Sequence, residues 1–282
     1  MGLSNGALSE QAIAAVVTAA LREDVGDGDL TTEALVPAAE QCTAQLLIEE
    51  PGVVCGIPVA AAVFRALDPS VSVTALRSEG EVLTTAPVAV AELSGPARAI
   101  LTGERTALNL VGRLSGIATL TRNYVDQVAG TGTTILDTRK TTPGLRALEK
   151  YAVRCGGATN HRFGLDDAIL VKENHLRLAG GIAPAVAALR NGRPVEVEAE
   201  TLAEVDAALA AGADRILLDN MSPDDVRRAV DLTAGRAQLE ASGGITLATV
   251  RDYAETGVDF ISVGALTHSA RSLAVSLEVD SR

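Results

Sequence analysis

Aromatic residues are nearly absent: the 282-residue chain has no tryptophan, three phenylalanines and three tyrosines. Hydrophobic residues make up 47% of it, so its core must be built from small aliphatic side chains, enough for one large domain or two of ordinary size. Cysteine is scarce and odd in number. Cys42, Cys55 and Cys155 lack the C-x-x-C spacing of metal or redox motifs, so unpaired thiols and a cytoplasmic location are expected. No apolar run approaches the roughly 18 residues that span a bilayer, so no membrane partner is expected. Nor does a basic segment followed by an apolar run open the chain, so no secretion signal is expected. Positive charge is short as well: 24 Lys and Arg stand against 36 Asp and Glu, a net charge of −12. Nucleic acid is therefore not an expected partner, because its phosphates would be repelled by most of the surface.

The scarce cations are not scattered. Lys140, Lys150 and Lys172 are the chain's three lysines, and all lie between Asp137 and His175. Two of the three histidines, His161 and His175, lie there too. Elsewhere positive charge is carried by arginine, so an ammonium kept here suggests a point charge that a planar guanidinium cannot replace. The window from Arg105 to Lys172 holds ten Lys/Arg and five Asp/Glu, about +5, which leaves about −17 for the rest. A basic island in an acidic chain is the footprint of a site for a small, multiply charged anion.

Residues 9–22 have helical periodicity with Ser9 as a candidate cap. The acidic loop at 23–32 (EDVGDGDLTT) carries Asp24, Asp27 and Asp29, but no glutamate closes it as a calcium loop would require, so capping and solvation are the expectation. Residues 43–50 and 87–93 alternate as half-buried strands do, with a helix from Pro58 to Leu67 between them. Residues 97–111 predict a helix with Ile100, Leu101, Ala107, Leu108 and Val111 on one arc, followed by a second helix over about 114–129. Arg105 falls at the rim of that arc. Spacing favours an ion pair or a snorkelling side chain there over a residue that reaches across an interface into a site.

Beyond residue 130 the pattern changes. The strand-like runs TTILDT, AILVKEN, VEVEAE, RILLDN, AQLEASGG and FISVGAL alternate with helical segments. Their ends, Asp137, Lys172, Glu198, Asp219, Ser242 and Gly264, are spaced by 35, 26, 21, 23 and 22 residues. That is βα repetition with chemistry at the carboxyl end of each strand, and even spacing without a G-x-G-x-x-G turn favours an incomplete α/β barrel over an open sheet. The late turns Ser242-Gly243-Gly244 and Gly264-Ala265-Leu266 each lead into a helix and could expose backbone N–H groups to phosphate. Glu198 and Asp219 end adjacent strands and could share Mg²⁺, or could simply pair with basic residues. Glu196 and Glu240 read as carboxylates that orient lysines and arginines. Thr142 and Pro143 predict the start of a helix running to Gly156. Its Arg146, Lys150 and Arg154 would form a solvated basic face.

The segments TGERTALNLVGRLSGIAT, DTRKTTPGLRALEKYAVRCGGATNHRFGLDDAILVKENH, EVEAE, LLDN, EASGGIT and SVGALTHS resemble quinolinate phosphoribosyltransferase, also called carboxylating nicotinate-nucleotide pyrophosphorylase. The likeness extends from the 23–32 loop to His268. It implies an N-terminal α/β sandwich domain at 1–112, joined by the C-terminal segment 269–282, and an incomplete, about six-stranded α/β barrel at 113–268. It implies transfer of a phosphoribosyl group from phosphoribosyl pyrophosphate to the nitrogen of quinolinate with decarboxylation, using Mg²⁺, in NAD biosynthesis. Carried onto this chain, the resemblance assigns Arg139, His161, Arg162 and Lys172 to the diacid, with Thr138 and Lys140 bordering it. It assigns Glu198 and Asp219 to ribose and metal, and Ser242, Gly243, Gly244, Gly264, Ala265, Leu266 and His268 to phosphate. It further implies a homodimer or higher oligomer in which Arg105 is supplied across the interface, reversing the expectation from spacing. Lys140, Lys172, Glu198 and Asp219 are the implied catalytic groups. Gly103, Ala158 and Ala199 depart from the family pattern, and none of them removes a proposed catalytic group. A phosphoribosyltransferase for another aromatic acid, or a non-catalytic phosphometabolite-binding barrel, would be the alternatives.

Overall fold

The computed structural model describes residues 8–190 and 192–280, and the outermost residues of the expected N- and C-terminal segments lie outside it. The chain divides into two compact units. Of the described residues, one holds Asn123–Lys140 and Ala158–Ala265; the other holds those up to Arg122, then Thr141–Gly157 and those from Leu266 on.

The second unit begins with α1 (Glu10–Val25) and α2 (Leu30–Leu35). Ser9 caps α1 by accepting the Ala12 amide at 3.2 Å, and Asp29 caps α2 by accepting the Thr32 amide at 2.9 Å. The acidic loop between them is thus a capping loop. Strands β1 (Gln41–Ile48) and β2 (Gly52–Val53), helix α3 (Ile57–Leu67) and strands β3 (Ser72–Ala75), β4 (Val82–Leu83) and β5 (Val88–Pro96) follow. Along β1, Ala44, Leu46 and Ile48 are buried, the alternation of a strand with one face on the core.

Where the sequence predicts two helices, the chain forms one, α4 (Ala97–Gln127). Gly112 and Gly116 do not break it; they let other backbone come close. A β-carbon on Gly116 would stand 1.9 Å from the Arg271 carbonyl oxygen, so glycine is required for contact there.

Strand β6 (Thr134–Leu136) opens the first unit. The chain then passes to the other unit for α5 (Arg146–Cys155) and returns. Next come β7 (Ile169–Val171), α6 (Glu173–Ala179), α7 (Ile182–Leu189), β8 (Val195–Ala199), α8 (Leu202–Ala211), β9 (Arg215–Asp219), α9 (Pro223–Thr233), β10 (Gln238–Ser242), α10 (Val250–Ala254) and β11 (Phe260–Ser262). The six strands pair in parallel in the order β6-β11-β10-β9-β8-β7. This is the incomplete six-stranded α/β barrel that the βα spacing implies. Val195, Val197, Ile216, Leu218, Leu239 and Ala241 are buried between sheet and helices.

Short helix α11 (Ala265–His268) precedes β12 (Val275–Val279), which pairs antiparallel with β1. The four-stranded order β12-β1-β5-β3 makes the sheet of the second unit. Helix α5 differs from expectation at its start and on its face. It begins at Arg146 rather than Pro143, because Thr142 is drawn to the Glu149 carboxylate through its amide at 3.0 Å and its hydroxyl at 2.8 Å. Lys150 is 1% exposed, so the expected solvated basic face exists only at its ends.

Candidate active site

A cavity of about 240 Å³ opens at the carboxyl ends of the barrel strands. Thr138, Arg139, Lys140, His161, Arg162, Lys172, Asp219 and Ser242 line it, together with Leu170, Leu217, Glu240 and Ser262. Strand geometry explains the grouping. Each strand is mainly aliphatic in its body and delivers a polar residue where it leaves the sheet, so chemistry from separate segments meets at one end.

One side of the cavity is cationic. The Nε of Arg139 is buried with no hydrogen-bond partner, and burial, then the like charge of Arg139, lower the pKa of the Arg162 guanidinium. Two like charges that act on one another, one with an orphaned donor, form a site that an anion would complete. Asp137 is fully buried beneath them and accepts the Asn160 side-chain amide at 2.6 Å and the His161 backbone amide at 2.8 Å. This is what shapes the 160–162 loop.

His161 sits with Nε2 at 3.2 Å from Glu196 and 3.3 Å from Glu240. Burial alone would favour the uncharged ring, but the hydrogen bonds and charges of these carboxylates outweigh burial and favour a proton on Nε2. The Arg162 amide, which donates to Nδ1 at 2.6 Å, opposes a second proton on the ring. In this arrangement the ring proton lies on Nε2. Glu196 and Glu240 therefore serve the histidine first, and Arg215 also pairs with Glu240 at 3.5 Å.

The other side is acidic. Glu198, Glu200 and Asp219 offer carboxylate oxygens that all lie within 4.8 Å of one another. Burial, then the Glu198 charge, raises the pKa of Asp219. Lys172 bridges the two sides through a 2.5 Å bond to Glu198. His175, from the same stretch, is spent on structure: its Nδ1 accepts the Lys172 amide at 3.0 Å at the start of α6.

Gly243 and Gly244 follow Ser242 with φ of 97° and 62°. A β-carbon on Gly243 would meet the Asn220 side-chain oxygen at 2.2 Å, so this turn is closed to larger residues. Gly264 and Ala265 end the barrel unit after β11. Leu266, His268 and Arg105 belong to the other unit: Leu266 is buried, His268 contacts the Ser269 hydroxyl at 2.7 Å, and Arg105 is exposed on α4. Glu200 had no role in the sequence reading because it lies past the end of β8, although the alternation that places Glu198 would put it on the same face.

Comparison with known proteins places these features in one lineage. Residues 29–115 match the model for the quinolinate phosphoribosyl transferase N-terminal domain, and residues 117–278 match that for its C-terminal domain. A probable carboxylating nicotinate-nucleotide pyrophosphorylase from a Synechocystis species is 47% identical over 266 residues, covering 92% of this chain and 90% of the relative. One from Bacillus subtilis is 46% identical over 261 residues, 91% of this chain and 90% of the relative. Among solved structures, NadC from Streptococcus pyogenes superposes with a TM-score of 0.93 at 41% identity, covering 98% of this chain and 99% of that one.

Proposed function

This chain belongs to the quinolinate phosphoribosyltransferase family, and we infer that its barrel pocket joins quinolinate to phosphoribosyl pyrophosphate, releasing nicotinate mononucleotide, pyrophosphate and CO₂. It is a phosphoribosyltransferase of NAD biosynthesis. The observation that carries the residue-level reading is the polarity of the pocket, with Arg139, Arg162 and Lys140 on one side and Asp219 on the other. A dianionic aromatic acid needs the first, and a ribosyl group gaining positive charge needs the second.

No side-chain nucleophile is required, because the pyridine nitrogen attacks the anomeric carbon as pyrophosphate leaves. The protein contributes placement and charge. Arg139 and Arg162 receive the carboxylates, and the orphaned Arg139 Nε gains a partner when they bind. Asp219 and Glu198 favour positive charge on the ribose ring while it builds. Lys140 and Lys172 stabilise negative charge on the pyrophosphate and the diacid. The turn after Ser242 offers backbone amides to the 5-phosphate, and Gly264 and Ala265 lie at the next strand end. Nitrogen alkylation makes the ring a pyridinium, whose cationic nitrogen stabilises the electron pair left on adjacent C2 when the 2-carboxylate departs as CO₂. A proton from water then completes that carbon.

The donor set fits Mg²⁺: three carboxylates converge, and one of them is already biased against its charge by its neighbours. Glu198 and Asp219 would hold the ion, which would neutralise pyrophosphate charge. Arg105, exposed on α4, fits supply across the interface of a homodimer or larger assembly. No described helix is long and apolar enough to cross a membrane, and the three cysteines are unpaired, which fits a cytoplasmic enzyme.

The test is release of CO₂ and pyrophosphate from quinolinate plus phosphoribosyl pyrophosphate, with nicotinate as control. Equal turnover of nicotinate, or none of quinolinate, would overturn the assignment. Mixing Arg105→Ala with Lys172→Ala subunits should restore activity if Arg105 acts across an interface.

A further inference from the structure

Beneath the strand ends the barrel carries a second layer of charge that the reaction does not use directly. On β8, Glu196 lies one side-chain repeat below Glu198; on β10, Glu240 lies one repeat below Ser242. Strand β9 runs between β8 and β10, so the two lower carboxylates project into the barrel from either side of it. They converge on a single atom, His161 Nε2, at 3.2 and 3.3 Å. Glu196 is 6% exposed and Glu240 is not exposed at all.

Two buried carboxylates are costly unless they hold something in place. Arg215 supplies counter-charge to Glu240 at 3.5 Å, and its guanidinium is itself held 4.1 Å over the Phe260 ring. What the carboxylates hold is the histidine. His161 is gripped at its backbone amide by Asp137 and at Nε2 by the glutamates, and its Nδ1 accepts the backbone amide of Arg162. Both ring nitrogens therefore point at protein groups, and the ring is a strut between the barrel floor and the backbone of a diacid-binding arginine.

We propose, resting on the phosphoribosyltransferase reading above, that Glu196 and Glu240 are positioning residues that act through His161 to set Arg162 for the diacid. His161 then fixes the 160–162 loop and, through Nδ1, the backbone of Arg162.

Glu240→Gln and Glu196→Gln in the full-length chain test this by a split between substrates. Each should raise the KM for quinolinate by roughly tenfold or more while the KM for phosphoribosyl pyrophosphate stays within about twofold. On a His161→Ala background, Glu240→Gln should raise the quinolinate KM no further, because the glutamate acts only through the ring. Equal rises in both KM values, an additive effect on that background, or an unchanged quinolinate KM would each overturn the proposal. A readout on the unaltered chain covers variants that fail to fold. In ¹⁵N-histidine spectra, His161 should keep its proton on Nε2 and its acceptor role at Nδ1 when phthalate, an unreactive aromatic diacid, is bound. Protonation of Nδ1 on phthalate binding would end its acceptor role toward the Arg162 amide, and the proposal would fail. If the wild type releases no CO₂ or pyrophosphate, the functional reading fails separately, and calorimetric phthalate binding by wild type and variants still decides the positioning role.

Discussion

Removal of the Glu149 carboxylate offers the sharpest test of what holds the non-barrel unit together. Glu149 is fully buried and accepts four hydrogen bonds: from Arg113 at 2.8 and 3.3 Å, from the Thr142 amide at 3.0 Å and from the Thr142 hydroxyl at 2.8 Å. Arg113 in turn donates to the Ala270 carbonyl at 2.7 Å and to the Thr267 carbonyl. One ion pair therefore joins α4, α5 and the segment leading to β12. Breaking a buried pair by deleting one partner costs about 3–5 kcal/mol, because the remaining charge keeps its desolvation penalty. The Arg113 side chain is 23% exposed, so water can recover part of that, and Glu149→Ala should cost about 3 kcal/mol. With a urea dependence of about 3 kcal/mol per molar, the unfolding midpoint should fall by about 1 M. The Arg113→Met, Glu149→Met double variant should recover most of the loss, since neither charge is then left alone. A midpoint shift under about 0.3 M for Glu149→Ala, or a double variant less stable than that single one, would refute the reasoning.

Other outcomes follow from the same geometry. Gly116→Ala would drive a methyl group into the Arg271 carbonyl oxygen and should cost about 2–3 kcal/mol, read as a melting temperature lower by roughly 5–10 °C. Gly243→Ala, at a φ of 97° and against Asn220, should raise the KM for phosphoribosyl pyrophosphate more than that for quinolinate, with a stability loss of about 1–2 kcal/mol. The Glu50 carboxylate, hydrogen-bonded by the Arg271 guanidinium and then by the Ala274 amide, titrates at about 2 in place of 4.5. Its pKa is depressed on folding, so its contribution is complete above about pH 4.5 and is lost as the pH falls toward 2. The stability gap between wild type and Glu50→Gln, measured by urea unfolding, should accordingly be widest near neutrality and close below pH 3.

The barrel was readable from the sequence because each strand keeps two signals apart, an aliphatic body and a polar end. That same separation located Lys172, Glu198, Asp219 and Ser242 correctly on strand ends. What escaped was whatever depends on neighbours far away in the chain. The glycines of α4 look like helix breaks locally and are close-contact points with residues 271–275 in space. Lys150 sits in a row with Arg146 and Arg154 that reads as solvated, yet it is buried. The His161, Glu196 and Glu240 cluster joins a loop to two strands. The available signal was a pair of glutamates at alternating positions in otherwise apolar strands, and it pointed to burial without naming the histidine.

The path of the chain between Lys140 and Ala158 has a consequence for anyone who would divide the molecule. The barrel's first crossover helix, α5, belongs to the other unit, and β12 returns to pair with β1 after the barrel is finished. The two units are interleaved in sequence like spliced rope. No single cut separates them: a fragment starting near residue 113 lacks β1, the mate of its own last strand, and one ending there lacks α5 and β12. Halves made that way should recover activity only by reassembling when co-expressed, and insertions that spare function belong at turns within one unit rather than at the crossings between them.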